Sequence, residues 1–294
     1  MIKHLNSGQQ GPRRVVILGS SGFVGKELSR ALGNCHLDVL GIASKDLDLC
    51  STDSVDRLKA LLRDTDALVF ASALTPDKGK DARTMMKNLL MAEHVGNALE
   101  QAPCHHVVYI SSDAVYDEAA NPVREAGLCD SGGLYGHMHR GREIIMKTAL
   151  AKARTPLLIL RPTALYGAGD THRGYGPNRF LRTALQDKQI ALFGNGDEKR
   201  DHLHIDDFTR LIQACLMHRS EGLLNVASGT SVPFHEVASA VADIVGGDIE
   251  IKRSPQTNPV THRHFDITEL LRAFPDFRLT PLKQGLTATY QALS

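Results

Sequence analysis

The chain has 294 residues, 42% hydrophobic and 23% charged, enough to bury one large core or two modest ones. Its 34 Lys and Arg against 33 Asp and Glu leave a formal net charge of +1, which excludes a global field that would gather nucleic acid or an anionic membrane. Five scattered cysteines, odd in number and without a C-x-x-C pair, argue against a disulfide framework and for a reducing compartment.

In chain order, "MIKHLNSGQQGPRR" contains no apolar leader, and no later run reaches the length of a membrane span. Residues 1–13 therefore read as a mobile extension on a cytoplasmic protein. From there, short β-branched runs, "VVILG" at 15–19, "LDVLGIA" at 37–43, "ALVFAS" at 67–72, "HVVYISS" at 106–112 and "LLILRP" at 157–162, alternate with helical patterns near 23–32, 54–64, 81–101 and 135–153. That alternation predicts an α/β fold, a doubly wound parallel sheet of Rossmann type over 14–165. After "RPTALYGAGD" the pattern loosens into glycine-rich loops, with helices near 206–218 and 234–245. Residues 166–294 are expected to form mainly a smaller α/β substrate-binding region, with about 200–228 returning to the first core. Ligands in such sheets bind beyond the carboxyl ends of the strands, so the loops after 43, 72, 112 and 162 should converge on one cleft.

"VVILGSSGFVG" sets Gly19, Gly22 and Gly25 where a buried strand turns into a helix. Glycines there let a pyrophosphate approach the backbone N–H groups at the helix start, where the dipole favours negative charge. The spacing is G-x-x-G-x-x-G, and its position between strand and helix supports a dinucleotide site over a merely structural turn. Ser44 and Lys45 stand at the end of the second strand, where an acid usually meets the ribose 2′-hydroxyl of NAD. A hydroxyl and an ammonium suit a 2′-phosphate, which favours NADP over NAD, although Asp46 and Asp48 follow closely.

"YISSDAVYD" ends a strand with the hydroxyls Ser111 and Ser112, and Tyr135 opens a helix in "LYGHMHRGRE" with His139 on the same face. With "GSSGFVG", "SSDAVY", "YGHMH", "RPTALYG", "LFGNGDEKRDHLHIDD" and "LNVASG" in this order, the chain from Arg14 onward resembles the extended short-chain dehydrogenase/reductases, the NAD-dependent epimerase/dehydratase family acting on nucleotide sugars. The resemblance implies that Tyr135 exchanges a proton with a sugar hydroxyl or ketone while Ser112 hydrogen-bonds the same oxygen. It extends the cofactor contacts to Ser21, Phe23 and Val24, to Asp48 and Leu49, to Ala71, Ser72 and Ala73, and to Pro162, with Tyr135 and His139 on the nicotinamide ribose. Asn88 in "MMKNLL" matches a helix asparagine of architectural rather than chemical use.

The family pattern is Tyr-x-x-x-Lys, and His139 stands in the lysine place. Lysine there bonds the ribose and lends positive charge to the tyrosinate; a histidine with a reference pKa near ~6.5 is mostly neutral at pH 7. Three readings stay open: a working substitute helped by His137 or Arg140, a tyrosine used as an acid in carbonyl reduction, or a cofactor-binding sensor or scaffold without catalysis. Asp113 is followed by Ala114 rather than by the Glu of the family's 4,6-dehydratases, which leaves epimerisation or 4-keto reduction. On the substrate side the resemblance implies Arg200 on the nucleotide diphosphate, Arg253 as a second diphosphate arginine, and Asp113, Asn178 and Phe193 as further contacts. Ala164 departs from the family's substrate-touching asparagine. His202 and His204 more simply pack on a strand than bind zinc, so no metal is expected. The apolar positions of 85–99 and 143–150 would form a homodimer seam by the same resemblance.

Overall fold

Runs of Val, Ile and Leu in the first half are apolar on both faces, as strands covered by helices on each side must be. The computed structural model describes residues 2–172, 174–256 and 259–294. Its elements are β1 (Lys3–His4), β2 (Arg14–Leu18), α1 (Phe23–Asn34), β3 (Asp38–Ile42), α2 (Ser54–Leu61), β4 (Asp66–Phe70), α3 (Ala82–Gln101), β5 (His106–Ile110), α4 (Leu134–Ala153) and β6 (Leu157–Pro162). The second half adds β7 (Ala164–Tyr166), α5 (Pro177–Asp187), β8 (Gln189–Phe193), β9 (Lys199–His204), α6 (Ile205–Met217), β10 (Ser220–Val226), β11 (Ser231–Pro233), α7 (Phe234–Val245), β12 (Glu250–Ser254), α8 (Thr268–Ala273) and α9 (Leu282–Leu293).

The main sheet runs β1-β10-β6-β5-β4-β2-β3, all parallel except β1. Strand order reverses at β2, which pairs with both β3 and β4, and this is the switch point at which such sheets bind ligands. Leu18 is level with Ile42 on one side and Phe70 on the other, so the loops after three strands leave at one height. Apolar side chains of α1, α6 and α8 pack on one face of the sheet, and those of α2, α3 and α4 on the other. A third core joins α5, α7, α9 and β8 in the second region.

One expectation changes. The amino-terminal residues are tied down rather than trailing: β1 pairs antiparallel with β10, Ile2 is buried, and His4 bonds Ser220 Oγ at 2.8 Å and the Ala273 carbonyl at 2.9 Å. Leu203 of β9 packs in the first core, followed by residues of α6 and β10, while β9 pairs with β7 and β11 in a separate three-stranded sheet. No described helix is long and apolar enough to cross a membrane.

The amino-terminal end of the central strand carries an acid-sensitive contact. His106, buried on β5, donates its Nε2–H to the Ser220 carbonyl at 2.7 Å. Burial, with smaller repulsion from His105 and Arg219, lowers it from 6.5 to about 4 even though the Ser220 bond pulls the other way. Because the folded value lies below the unfolded one, the stability this residue contributes is complete above the unfolded value and is lost as pH falls from about 6.5 toward 4. In His106→Gln, where an amide N–H replaces Nε2–H, the stability advantage of the natural chain should shrink by about 2–3 kcal/mol between pH 7.5 and 4.5 in urea unfolding. A gap that stays constant across that range removes His106 from the acid sensitivity.

Candidate active site

The glycine loop is shaped by contacts that tolerate no side chain. Gly19 has φ +92°, and a Cβ there would stand 2.8 Å from the Ser72 backbone nitrogen. At Gly25 a Cβ would overlap the Gly19 carbonyl oxygen, so this glycine lets helix α1 pack onto the loop. Gly22 differs: its φ is an ordinary −77°, and the nearest atom to a Cβ placed there would be 3.4 Å away. It caps α1 without any side-chain bond to the helix amides, leaving the N–H groups of the first turn open to a ligand. Those features fit a diphosphate at the helix start.

Residues after the neighbouring strands complete the groove. A small cleft is lined by Leu18, Ala43, Ser44, Asp48, Leu49 and Ser72, which brings together the expected cofactor residues Ser44, Asp48, Leu49 and Ser72. Asp46 accepts from the Ala43 N–H at 3.0 Å and Asp48 from the Cys50 N–H at 2.9 Å, so both acids brace their own loop, while Ser44 lines the cleft and Lys45, next to it in the chain, is exposed. Asn88 holds the loop after β4 by bonding both the N–H and the carbonyl of Leu74, at 2.8 and 3.0 Å, an architectural use.

Across the groove, Ser112 follows β5 and Tyr135 opens α4. Ser112 Oγ accepts from the Ala114 N–H at 3.1 Å and donates to Asp113 at 3.4 Å, and its hydroxyl favours the ionised form of the Tyr135 phenol. Burial nevertheless pushes Tyr135 up to about 12; the Arg142 charge and Ser112 pull it down, and Asp113 and Asp77 push it further up. Tyr135 and His139 meet edge to face with centroids 4.7 Å apart.

His139 is 2% exposed, its Nδ1 sits 2.7 Å from the Tyr109 hydroxyl, and its Nε2 is buried without a protein partner among the described residues. Burial, then the Arg142 charge, hold it well below its ordinary value, so it is a neutral imidazole. Neither suggested helper assists it: His137 is exposed, and Arg140 bonds Glu143 at 3.0 Å.

One residue that sequence reasoning missed is Arg142. It is fully buried, donates Nη2–H to the Ser72 carbonyl at 2.7 Å, and leaves Nε and Nη1 without partners among the described residues. Its guanidinium carbon lies 4.3 Å from the Phe70 ring centroid and 5.2 Å from that of Tyr109, and no described carboxylate pairs with it. The aromatic faces return about 2 kcal/mol each when desolvated, against several kcal/mol for burying the ion. Its spacing was visible: Tyr135, His139, Arg142 and Met146 repeat at 4, 3 and 4 residues, one helix stripe.

Among the expected substrate contacts, Asp113 and Arg200 lie near the pair, since the Arg200 charge acts on Asp113. Arg200 itself is held by Glu198 and by the Thr261 carbonyl and hydroxyl at 2.8 and 2.9 Å. Arg253 is not brought to this place; it is exposed on β12, opposite Leu192. Arg263 is there instead, donating to the Asp113 carbonyl at 2.8 Å with its Nε 3.5 Å from the carboxylate. Asn178 is buried with its amide engaged by Asp170 and Gly167, so it fixes a loop rather than facing a cleft. Phe193 is half exposed beside Tyr175, and Pro162 is buried at the end of β6. His202 and His204 are both buried, and among the described residues no three His, Cys, Asp or Glu converge to hold a metal.

A glycine loop at a helix start, with a serine and a tyrosine at the carboxyl edge of the same sheet, is the arrangement of a dehydrogenase/reductase-type α/β protein. More narrowly, the chain belongs to the NAD dependent epimerase/dehydratase family, whose model matches residues 15–227. It is 24% identical to dTDP-4-dehydro-6-deoxy-D-allose reductase of Streptomyces bikiniensis over 94% of this chain and 95% of that one. It is 28% identical to GDP-6-deoxy-D-mannose reductase of Pseudomonas aeruginosa over 83% and 84% of the two chains. The structure of RMD from Pseudomonas aeruginosa complexed with NADPH superposes with a TM-score of 0.82 at 26% identity, covering 96% of this chain and 99% of that one.

The open face at Gly22 gives a test of the groove. Gly22→Val should leave the fold within about 1 kcal/mol of the natural chain, because its backbone angles suit any residue, yet weaken nicotinamide dinucleotide binding at least ~10-fold. Titration calorimetry with equal affinities for the two proteins would move the phosphate site elsewhere.

Proposed function

We propose that this protein is an NADPH-dependent reductase of 4-keto nucleotide sugars. The geometry that carries the reading is Tyr135 set edge to face against a buried His139 that is bonded to Tyr109, so no cation stands in the lysine place; burial raises the phenol and keeps the imidazole neutral, which suits an acid set to donate rather than a tyrosinate set to abstract. A nicotinamide bound along the glycine loop would supply the hydride. Ser112 would hold the ketone oxygen, and Tyr135 would hand its phenolic proton to that oxygen as it becomes a hydroxyl. Arg200 and Arg263, at Asp113, would receive the nucleotide diphosphate. Ser44 on the cleft wall with an exposed Lys45 next to it, and the braced Asp46 and Asp48, support NADPH over NADH, and the two relatives described above are named as reductases of 6-deoxy nucleotide sugars.

The same reading includes a cytoplasmic homodimer. Its supporting feature is the outward side of α3 and α4, where Met86 is 63%, Ile144 52% and Leu90 39% exposed.

With dTDP-, GDP- and UDP-linked 4-keto-6-deoxy sugars, NADPH should be consumed in proportion to product. Tyr135→Phe should lower kcat at least ~100-fold while NADPH affinity stays within ~3-fold. A new sugar isomer without net nicotinamide change would make the enzyme an epimerase, and bound cofactor with no turnover of any sugar would make it a sensor or scaffold. Lys45→Glu should raise the KM for NADPH about 10-fold and leave that for NADH unchanged; equal effects on both would remove Lys45 from the 2′-phosphate.

A further inference from the structure

A buried guanidinium with two unpartnered nitrogens and no carboxylate among the described residues is a costly group for a protein core, and Arg142 is one. It lies two helix turns after Tyr135 and one after His139, on the same stripe of α4, and its hydrogen bond reaches the Ser72 carbonyl in the cofactor groove. Gly19 also abuts Ser72, so the cation stands directly behind the groove wall. Its charge acts on both Tyr135 and His139. His139, neutral and bonded to Tyr109, brings no charge of its own.

Resting on the reductase reading, we propose that Arg142, and not His139, supplies the fixed positive charge that stabilises the Tyr135 phenolate left when its proton passes to substrate. The charge of the Tyr-x-x-x-Lys pattern is thereby moved three residues along the helix, and His139 is a neutral link to Tyr109. Arg142 acts through Tyr135 and through the wall at Ser72, so it is a positioning residue for charge and touches no substrate. A cation behind the groove also disfavours the positively charged oxidised nicotinamide relative to the reduced form.

The test compares the natural chain with Arg142→Met, Arg142→Lys, His139→Lys and the double variant His139→Lys with Arg142→Met. Removing an uncompensated ion, Arg142→Met should raise the melting temperature of the ligand-free protein by about 3 °C or more. It should also lower the ratio of the NADP+ to the NADPH dissociation constant at least ~5-fold, and lower kcat ~30-fold or more, with KM for sugar within ~3-fold. Arg142→Lys should stay within ~5-fold of the natural kcat. His139→Lys alone, which crowds two cations, should melt lower and turn over more slowly, whereas the double variant should regain at least ~10-fold in kcat over Arg142→Met. A fall in melting temperature with an unchanged dissociation-constant ratio in Arg142→Met would make Arg142 a packing residue and overturn the proposal. So would a folded double variant no faster than Arg142→Met. If no sugar nucleotide is turned over by any of these proteins, the reductase reading fails by itself, and the melting and dissociation-constant measurements still decide the role of Arg142.

Discussion

The site depends on how α4 is seated against the sheet, and one buried ion pair sets that seat. Glu143 accepts two hydrogen bonds from Arg161 on β6, at 2.8 and 2.6 Å, one from the Ser111 hydroxyl at 2.7 Å and one from Arg140 at 3.0 Å. Arg161 in turn lies over the Tyr116 ring, 4.7 Å from its centroid, and Tyr116 bonds Asn225 on β10. Burial opposes ionisation of Glu143, but the Arg161 bonds and charge prevail and hold its carboxyl below the ordinary value. A buried pair with one partner removed costs about 3–5 kcal/mol, so the helix has little freedom to rotate. Since Ser111 adjoins Ser112, and Glu143 shares a helix with Tyr135, the same cluster fixes both members of the serine–tyrosine pair.

Beside that anchored helix, the glycines of the loop divide into two kinds. Gly19 and Gly25 are required by the protein's own backbone, which approaches too closely for any Cβ, while Gly22 answers to no such contact. The groove is thus built partly from contacts that stabilise the fold and partly from space and unpaired donors that do not. Arg142 belongs to the second kind: its aromatic contacts and carbonyl bond fall short of what a desolvated guanidinium lost on burial. Features that cost stability without local compensation are where function is to be sought.

Much of the architecture was legible because its signals are local. The apolar β-branched runs became β2 to β6 with only small shifts at their ends, and the helical periods at 81–101 and 234–245 became α3 and α7 almost unchanged. The glycine loop and the hydroxyl pair were readable for the same reason. The parts that were not legible rest on distant pairing. The two residues of β1 carry no periodicity, and they form a strand only because β10, distant in the chain, offers an open edge that sets Lys3 opposite Glu221. Arg263 reaches Asp113 by a loop whose course, set by its backbone bond to Lys199, no short-range pattern announces. Arg142 was legible in spacing yet passed over, since an arginine among charged neighbours ordinarily faces water.

The exchange of lysine for histidine beside Tyr135 need not weaken an acid. A phenol giving up its proton needs a positive charge that is present in the product state at every working pH, and a guanidinium meets that condition because it does not deprotonate in the physiological range. A solvated imidazole in the same position would titrate near neutrality and make the tyrosine's behaviour follow the surroundings. Here the imidazole is buried, neutral and tied to Tyr109, while the permanent charge sits one turn further along the helix. Ring contact and hydrogen bonding are thereby divided from charge, between two residues where the family pattern uses one. The division suits a reductase, in which the tyrosine begins each turnover protonated and its ionised form matters only after the proton has moved.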